Sequence, residues 1–408
     1  MQKIAAGCVA LAGVLMLAGC GEPQTSPQPQ QADLLFLRSA RGVAVFEAGS
    51  AAPPKVSRGA TVTSSDFSTA VATDLVSGST EVTAVDPSSG AERWRILLEG
   101  RLLAKLVSEQ GDLVALSPIG EKPYADGRTR TELVIAGSGM IKPRHIVLEG
   151  NYEPEAFSTD GTSLFVIKYL PAARPTKYQV RRLDIDKGKV LGVYTPHEEL
   201  QRPMGGTARI QVASPDGRRL YTLYTQRDGN GQAYAFIHVL ALDDMWAHCI
   251  SLPADFAQGA EWRTALTISP DGDSLYVASS GAQQVAEIDT DTLQVARTRD
   301  VELGQGLPTR AVHDSKSSFY FASGRNLTKV DATDLTQQQS WEMSERVRGV
   351  QASASGPNVY VGLRREVAVM NGDTGERIDT IDPPGVGRVA DLGTGMRWLN
   401  DGTIKCGC

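Results

Sequence analysis

Six arginines recur at or just beside one place in this chain, Arg310 being displaced by about two positions. Arg58, Arg101, Arg209, Arg263, Arg310 and Arg348 each stand ahead of a turn and a Leu-Tyr-Val-like apolar run, and Arg388 opens a last short run near the C-terminus. A guanidinium fork grips carboxylate or phosphate with two parallel hydrogen bonds. Arginines repeated at one register and folded to one place would therefore receive an anionic ligand or an acidic partner segment. One unit carries Glu153 and Glu155 there instead, and two negative charges would offset part of the repulsion among the arginines. Other chemistry is sparse. The histidines at 145, 197, 238, 248 and 313 form no H-x-H or H-x-x-x-H pair, so no metal site is indicated, and His238 and His248 read as packing or surface residues. There is no G-x-S-x-G elbow and no glycine-rich phosphate loop. The Asp-rich turns at 184–186 and 289–291 read as aspartates bonding their own backbone rather than as calcium ligands. No catalytic residue is assigned and no cofactor is expected.

The remaining reactive residues are cysteines. Lys3 and the apolar run 4–17, too short for a stable membrane span, precede Leu17-Ala18-Gly19-Cys20. This resembles the lipobox of bacterial lipoprotein signal peptides. The resemblance implies that residues 1–19 are removed and that Cys20 carries lipid on its thiol and amine, anchoring the chain outside the cytoplasm. Several acyl chains would make that anchor stable, at about 0.8 kcal/mol per buried CH₂. Whether it sits in the cell membrane or the outer membrane is open. Residues 20–32 hold this cysteine and a Pro/Gln-rich, nearly uncharged tether. With Cys8 and Cys20 accounted for, Cys249, Cys406 and Cys408 are left. An oxidising compartment predicts pairing. A bond from Cys249 to Cys406 or to Cys408 would tie down the tail 396–408, whereas a bridge within Cys406-Gly407-Cys408 is geometrically harder.

The elements that must position these residues follow from a repeat. Between 264 and 301 four apolar-alternating runs are separated by turns, the first being Ser269-Pro270-Asp271-Gly272. Four antiparallel strands in about 40 residues make one blade of a β-propeller. Degraded copies cover 62–98, 102–148, 153–195, 209–253, 308–343 and 347–381, seven units in all. Three runs at the front (34–37, 43–47, 55–57) and one at the back (387–392) complete an eighth blade closed by both ends of the chain. The reading is an all-β propeller over 33–395, eight blades favoured, with seven the alternative if 308–343 is misread. Closure removes the free edges that invite aggregation.

Ser-Pro-Asp-Gly, Leu275-Tyr276-Val277-Ala278 and then Val285-Ala286-Glu287-Ile288-Asp289-Thr290 resemble the YVTN-type propeller repeat of exported bacterial proteins. The match is close over 264–303, good over 207–252 and loose elsewhere. The stretch 83–94, ending in Trp94, is similar to the tryptophan-docking repeat of quinoprotein-dehydrogenase-like propellers. That family needs the tryptophan in most blades, so Trp94 reads as a packing residue.

Strand order then assigns faces. The inner-strand starts and the second-to-third-strand turns share face one; the Ser-Pro-Asp-Gly turns lie on face two. Long turns at 119–130, 170–177 and 226–233 would raise a wall on face one bearing Lys122, Tyr124, Arg128, Arg174, Lys177 and Arg227. A formal charge of −6 disfavours nucleic acid. The functional expectation is a lipid-anchored binding or scaffolding module. Its partners would be the membrane, through the anchor, and an envelope protein or anionic small molecule. The alternative is an enzyme (lactonase, lyase or quinoprotein-like) working from the central channel.

Overall fold

The computed structural model describes residues 33–392 except 40–41, 51, 54–55, 59, 121–126, 196–202, 228–229, 258–262, 307, 315–316, 355 and 383–388. Cys20, Arg388, Cys406, Cys408, Lys122 and Tyr124 lie outside the described residues.

Eight four-stranded antiparallel blades make up the fold. We number them 1 to 8 and letter their strands a to d from the axis outward. Blades 1 to 7 occupy 60–98, 102–149, 151–191, 207–251, 264–300, 308–342 and 349–381. Blade 8 joins the termini: Val389–Leu392 is its strand a, followed by Leu34–Ser39, Gly42–Glu47 and Val56–Arg58. Leu37 pairs with Leu392 and Arg38 with Asp391. Blade 7 reinforces this seam, since Gln351 Nε2 donates to Leu34 O (2.6 Å) and the Tyr360 hydroxyl donates to Asp33 Oδ2 (2.8 Å). The eight-bladed count and the three-plus-one closure are thus observed, and 308–342 is a full blade.

The core lies between blades rather than inside one compact centre. A strand buries every second side chain on each sheet face, so a blade packed on both sides needs apolar residues at nearly every central position. Strand b of blade 5, Ser274–Ser279, reads SLYVAS and is buried throughout its last five residues. Leu266, Leu275 and Val277 face blade 4, whereas Ala265, Tyr276 and Ala278 face blade 6. Trp94 fits the same logic: it packs against the core between blades 1 and 2 and its indole N–H donates to Gly111 O (2.9 Å).

The a-to-b turns repeat one device. In Ser269-Pro270-Asp271-Gly272 the Ser269 hydroxyl donates to Asp271 Oδ1 (2.5 Å) and accepts the Ser274 N–H (3.0 Å), and Gly272 has φ +86°. Ser64, Ser158 and Ser214 make the same pair of bonds with Asp66, Asp160 and Asp216 and with the N–H five residues on. The Ser269 hydroxyl bond, with the Asp273 N–H, holds the Asp271 carboxyl below its ordinary range. In the c-to-d turns Asp184 accepts the Lys187 N–H and Asp289 accepts those of Asp291 and Thr292, so these carboxylates serve the backbone. Replacing the buried Ser269 by alanine strips the Ser274 N–H of its acceptor. Ser269→Ala is expected to cost about 1–2 kcal/mol in urea unfolding, and an unchanged midpoint would contradict this account of the turn.

Candidate functional site: the central channel

Eight a strands surround the axis, and the channel they line is chemically different at its two ends. At face one, four consecutive blades bring an arginine to the inner-strand end. Arg263 directly precedes strand a of blade 5 (Thr264–Ile268) and Arg348 that of blade 7 (Gly349–Ala352). Arg209 is the third residue of Thr207–Ala213 in blade 4, at a bulge, and Arg310 the third of Pro308–His313 in blade 6. Arg310 is only 2% exposed. Arg263 Nε is buried with no acceptor among the described residues. Arg101 precedes Leu102–Val107 and is exposed. Arg58 ends the outermost strand of blade 8, two residues ahead of the inner strand Ala60–Thr63 of blade 1. The side chains of Arg58 and Arg209 lie outside the described part of the structure.

Blade 3 carries the opposite charge. Glu153 and Glu155, on strand a (Asn151–Phe157), are 6% and 5% exposed. Glu153 Oε1 meets Lys105 Nζ of blade 2 at 3.2 Å, and Glu155 Oε1 accepts Gln211 Nε2 of blade 4 at 2.6 Å. Arg128 belongs with this group. Instead of standing out on the face-one wall it turns inward, donates to Tyr152 O and feels the charge of Glu153, while burial pulls its guanidinium below the usual value. The other wall residues remain peripheral. Arg174 is exposed, Lys177 opens a c strand, and Arg227 ends a b strand with Nη1 on Gly231 O (3.1 Å). The pairing in Arg219–Arg227 with Ala233–Ala241 runs further than the sequence suggested, which shortens that turn.

Face two has a feature the sequence reading missed. Glu109, in the a-to-b turn of blade 2, reaches across the mouth. It accepts the Ser65 hydroxyl of blade 1, and its side chain lies where a Cβ on Gly217 of blade 4 would sit, 2.9 Å from Glu109 Cγ. Burial, then the neighbouring Asp66 charge, pushes its carboxyl up to about 7 against the pull of the Ser65 and Asp66 N–H groups. Two adjoining cavities share it. One of about 60 Å³ is lined by Phe67, Phe157 and Gln211, the other of about 280 Å³ by Asp66, Thr267 and His313. The signal was present in the sequence: Ser108-Glu109-Gln110-Gly111 puts a long acid where other turns have proline or a small residue.

Cys249 is half-buried in strand d of blade 4 and carries a free thiol, pushed up to about 12 by burial. The disulfide expected for it is not seen, and both of its candidate partners lie outside the described residues.

No family model and no curated protein matches the sequence. Solved structures do. Apo AztD from Citrobacter koseri superposes with TM-score 0.55 at 13% identity, over 88% of this chain and 96% of that one. The dihydro-heme d1 dehydrogenase NirN, in complex with DHE, gives 0.50 at 17% over 81% and 66%. A eukaryotic initiation factor gives 0.50 at 12% over 86% and 85%. At these identities the likeness concerns the ring of blades alone, a scaffold that hosts unrelated activities.

Between about pH 4.5 and 7 folded Glu109 keeps a proton that the unfolded chain has released, so its contribution to stability falls as pH rises through that window. Glu109→Gln stays neutral. Its stability relative to wild type should rise by about 1 kcal/mol between pH 4 and pH 8, after discounting for the part of the carboxyl that solvent screens. A pH-independent difference in chemical denaturation would contradict the raised value.

Proposed function

We propose that this chain is a lipid-anchored, extracytoplasmic propeller that binds rather than transforms its partner, receiving an anionic small molecule or an acidic protein segment at the face-one mouth. The observation that carries the reading is the delivery of Arg209, Arg263, Arg310 and Arg348 to the same end of four successive inner strands. Inner strands crowd the axis, so charges at their ends reinforce one another's field at the mouth. The acids of blade 3 already have cationic or amide partners of their own, Lys105 for Glu153 and Gln211 for Glu155. A rigid ring suits this role, because binding groups held by packed strands lose little entropy on association.

The anchor belongs to the same proposal and rests on Leu17-Ala18-Gly19-Cys20. Cys20→Ala is expected to abolish metabolic labelling with palmitate and to move the protein from the membrane pellet to the soluble fraction. Retention of both label and pellet would remove the anchor from the reading.

For the mouth, the full-length chain in detergent would be titrated with inorganic pyrophosphate and with a fluorescent glutamate-rich peptide. Arg263→Gln and Arg348→Gln should each weaken the tighter of the two about tenfold, equivalent to about 1.4 kcal/mol, and added salt should weaken wild type more than either variant. Affinity that neither arginine changes would overturn the assignment.

Glu109 favours a second reading. A half-buried carboxyl poised near neutral pH, beside cavities at the face-two mouth, is suited to general acid–base work. Turnover of a lactone or ester that Glu109→Gln abolishes would put this reading first.

A further inference from the structure

The interface between blades 3 and 4 is built unlike the others. Its buried apolar residues form two separate clusters, one containing Phe165, Leu220 and Leu240, the other Tyr178, Tyr224 and Phe236. What separates them is a single register row across blade 4. Gln211 lies opposite Thr222, Thr222 opposite His238, and His238 opposite Cys249. Directly paired residues put their side chains on the same sheet face with Cβ atoms about 4.5–5.5 Å apart, so a polar row runs from the channel to the rim between two apolar walls. Its inner end is satisfied, since Gln211 Nε2 donates to Glu155 Oε1 (2.6 Å) and to Thr222 Oγ1 (3.0 Å).

Its outer end opens onto a cavity at the rim. His238 is 5% exposed and lies edge-on to Tyr224 at 6.3 Å. With Cys249 and Met204 it lines a cavity of about 260 Å³. Met204 belongs to the stretch leading into blade 4, where its backbone bonds that of Tyr178 in both directions (2.8 Å each). That clamp brings Met204 Sδ to 3.9 Å from Cys249 Sγ.

The geometry points to a soft-metal site at this rim cavity, in which the Cys249 thiolate, the Met204 thioether and the His238 imidazole hold one Cu(I) ion. Two sulfurs each about 2.3 Å from a shared ion lie about 3.8–4.0 Å apart for tetrahedral to trigonal angles, and the observed separation falls in that interval. Thiolate and thioether donors select Cu(I), and imidazole accepts it readily. The lining contains no carboxylate, so a hard, oxygen-seeking cation finds no ligand set here; His248 also lines the cavity. Arg181, also in the lining, adds a positive charge that further disfavours a divalent ion. Charge balance fits as well. Cu(I) binding to Cys249 releases the thiol proton to solvent with no electron transferred, and the resulting ion–thiolate pair is neutral, which limits the cost of burial.

The competing account is sulfur packed on aromatic rings, because Cys249 and Met204 both abut the cluster of Tyr178 and Tyr224. The two are separated by anaerobic titration of the full-length chain with Cu(I), in competition with a chromogenic Cu(I) chelator. Wild type and a Cys406→Ser/Cys408→Ser variant, which removes the tail thiols, would be run side by side. The expected result is one Cu(I) per chain retained in both, with affinity lowered at least 100-fold by Cys249→Ser and about tenfold by His238→Ala and by Met204→Leu. Zn(II) should not compete. Met204→Leu conserves volume and keeps the packing, so its effect is readable even if Cys249→Ser unfolds. Uptake that survives Cys249→Ser and Met204→Leu, uptake lost only with the tail cysteines, or no uptake at all would each overturn the site.

Discussion

The structure depends on sheet faces finding each other around a closed ring. No single blade could stand alone: its strands are apolar on both faces, and each face is covered only by the next blade. Leu266 and Tyr276 belong to one blade yet are buried in different interfaces. Because every interface needs both neighbours, the ring must close, and the seam between Leu34–Ser39 and Val389–Leu392 completes it. The Ser–Asp turns serve the same end. They terminate strand a, satisfy the first N–H of strand b and return the chain without spending apolar surface.

Closure also creates an axis, and the axis sorts charge. Chain direction alternates along a, b, c and d, so every residue that opens an inner strand emerges on one face and every a-to-b turn on the other. Arginines preceding or opening inner strands therefore collect at face one, while Asp66, Glu109, Asp160, Asp216 and Asp271 belong to the turns at face two. The buried pair Lys105–Glu153 and the bond from Gln211 to Glu155 lie between these ends. A buried ion pair adds little net stability, because desolvation offsets most of its attraction. Its consequence here is to fix Glu153, as the Gln211 amide fixes Glu155, so both blade 3 carboxylates have partners of their own.

One interface breaks the apolar rule. The row Gln211–Thr222–His238–Cys249 divides the core between blades 3 and 4 and leads from the channel to a cavity at the rim. Polar groups between packed sheet faces carry a desolvation cost that hydrogen bonds must offset. The inner part of the row is bonded and needs no further explanation. The imidazole at its outer part is what makes this interface chemically distinct.

Much of this was legible in the residues. A four-run repeat near 40 residues, the turn Ser269-Pro270-Asp271-Gly272 and three leftover runs at the front against one at the back pointed to the propeller, to eight blades over seven and to closure by both termini, because strand periodicity and turn chemistry are local properties. The same logic placed the arginines at one face. What the chain order could not contain was distance between side chains on different blades. Arg128 looked like part of an exposed loop and is drawn inward beside Glu153; Glu109 drew no notice in the sequence and spans the mouth to Ser65 and Gly217. His238 and Cys249 read as unrelated until strand register set them opposite each other, and Met204 reached Cys249 only because its stretch is clamped to Tyr178. Local sequence decides which way a strand runs and where it turns. Which side chains meet across a blade interface is set by register and ring closure, and those exist only when all eight blades have packed.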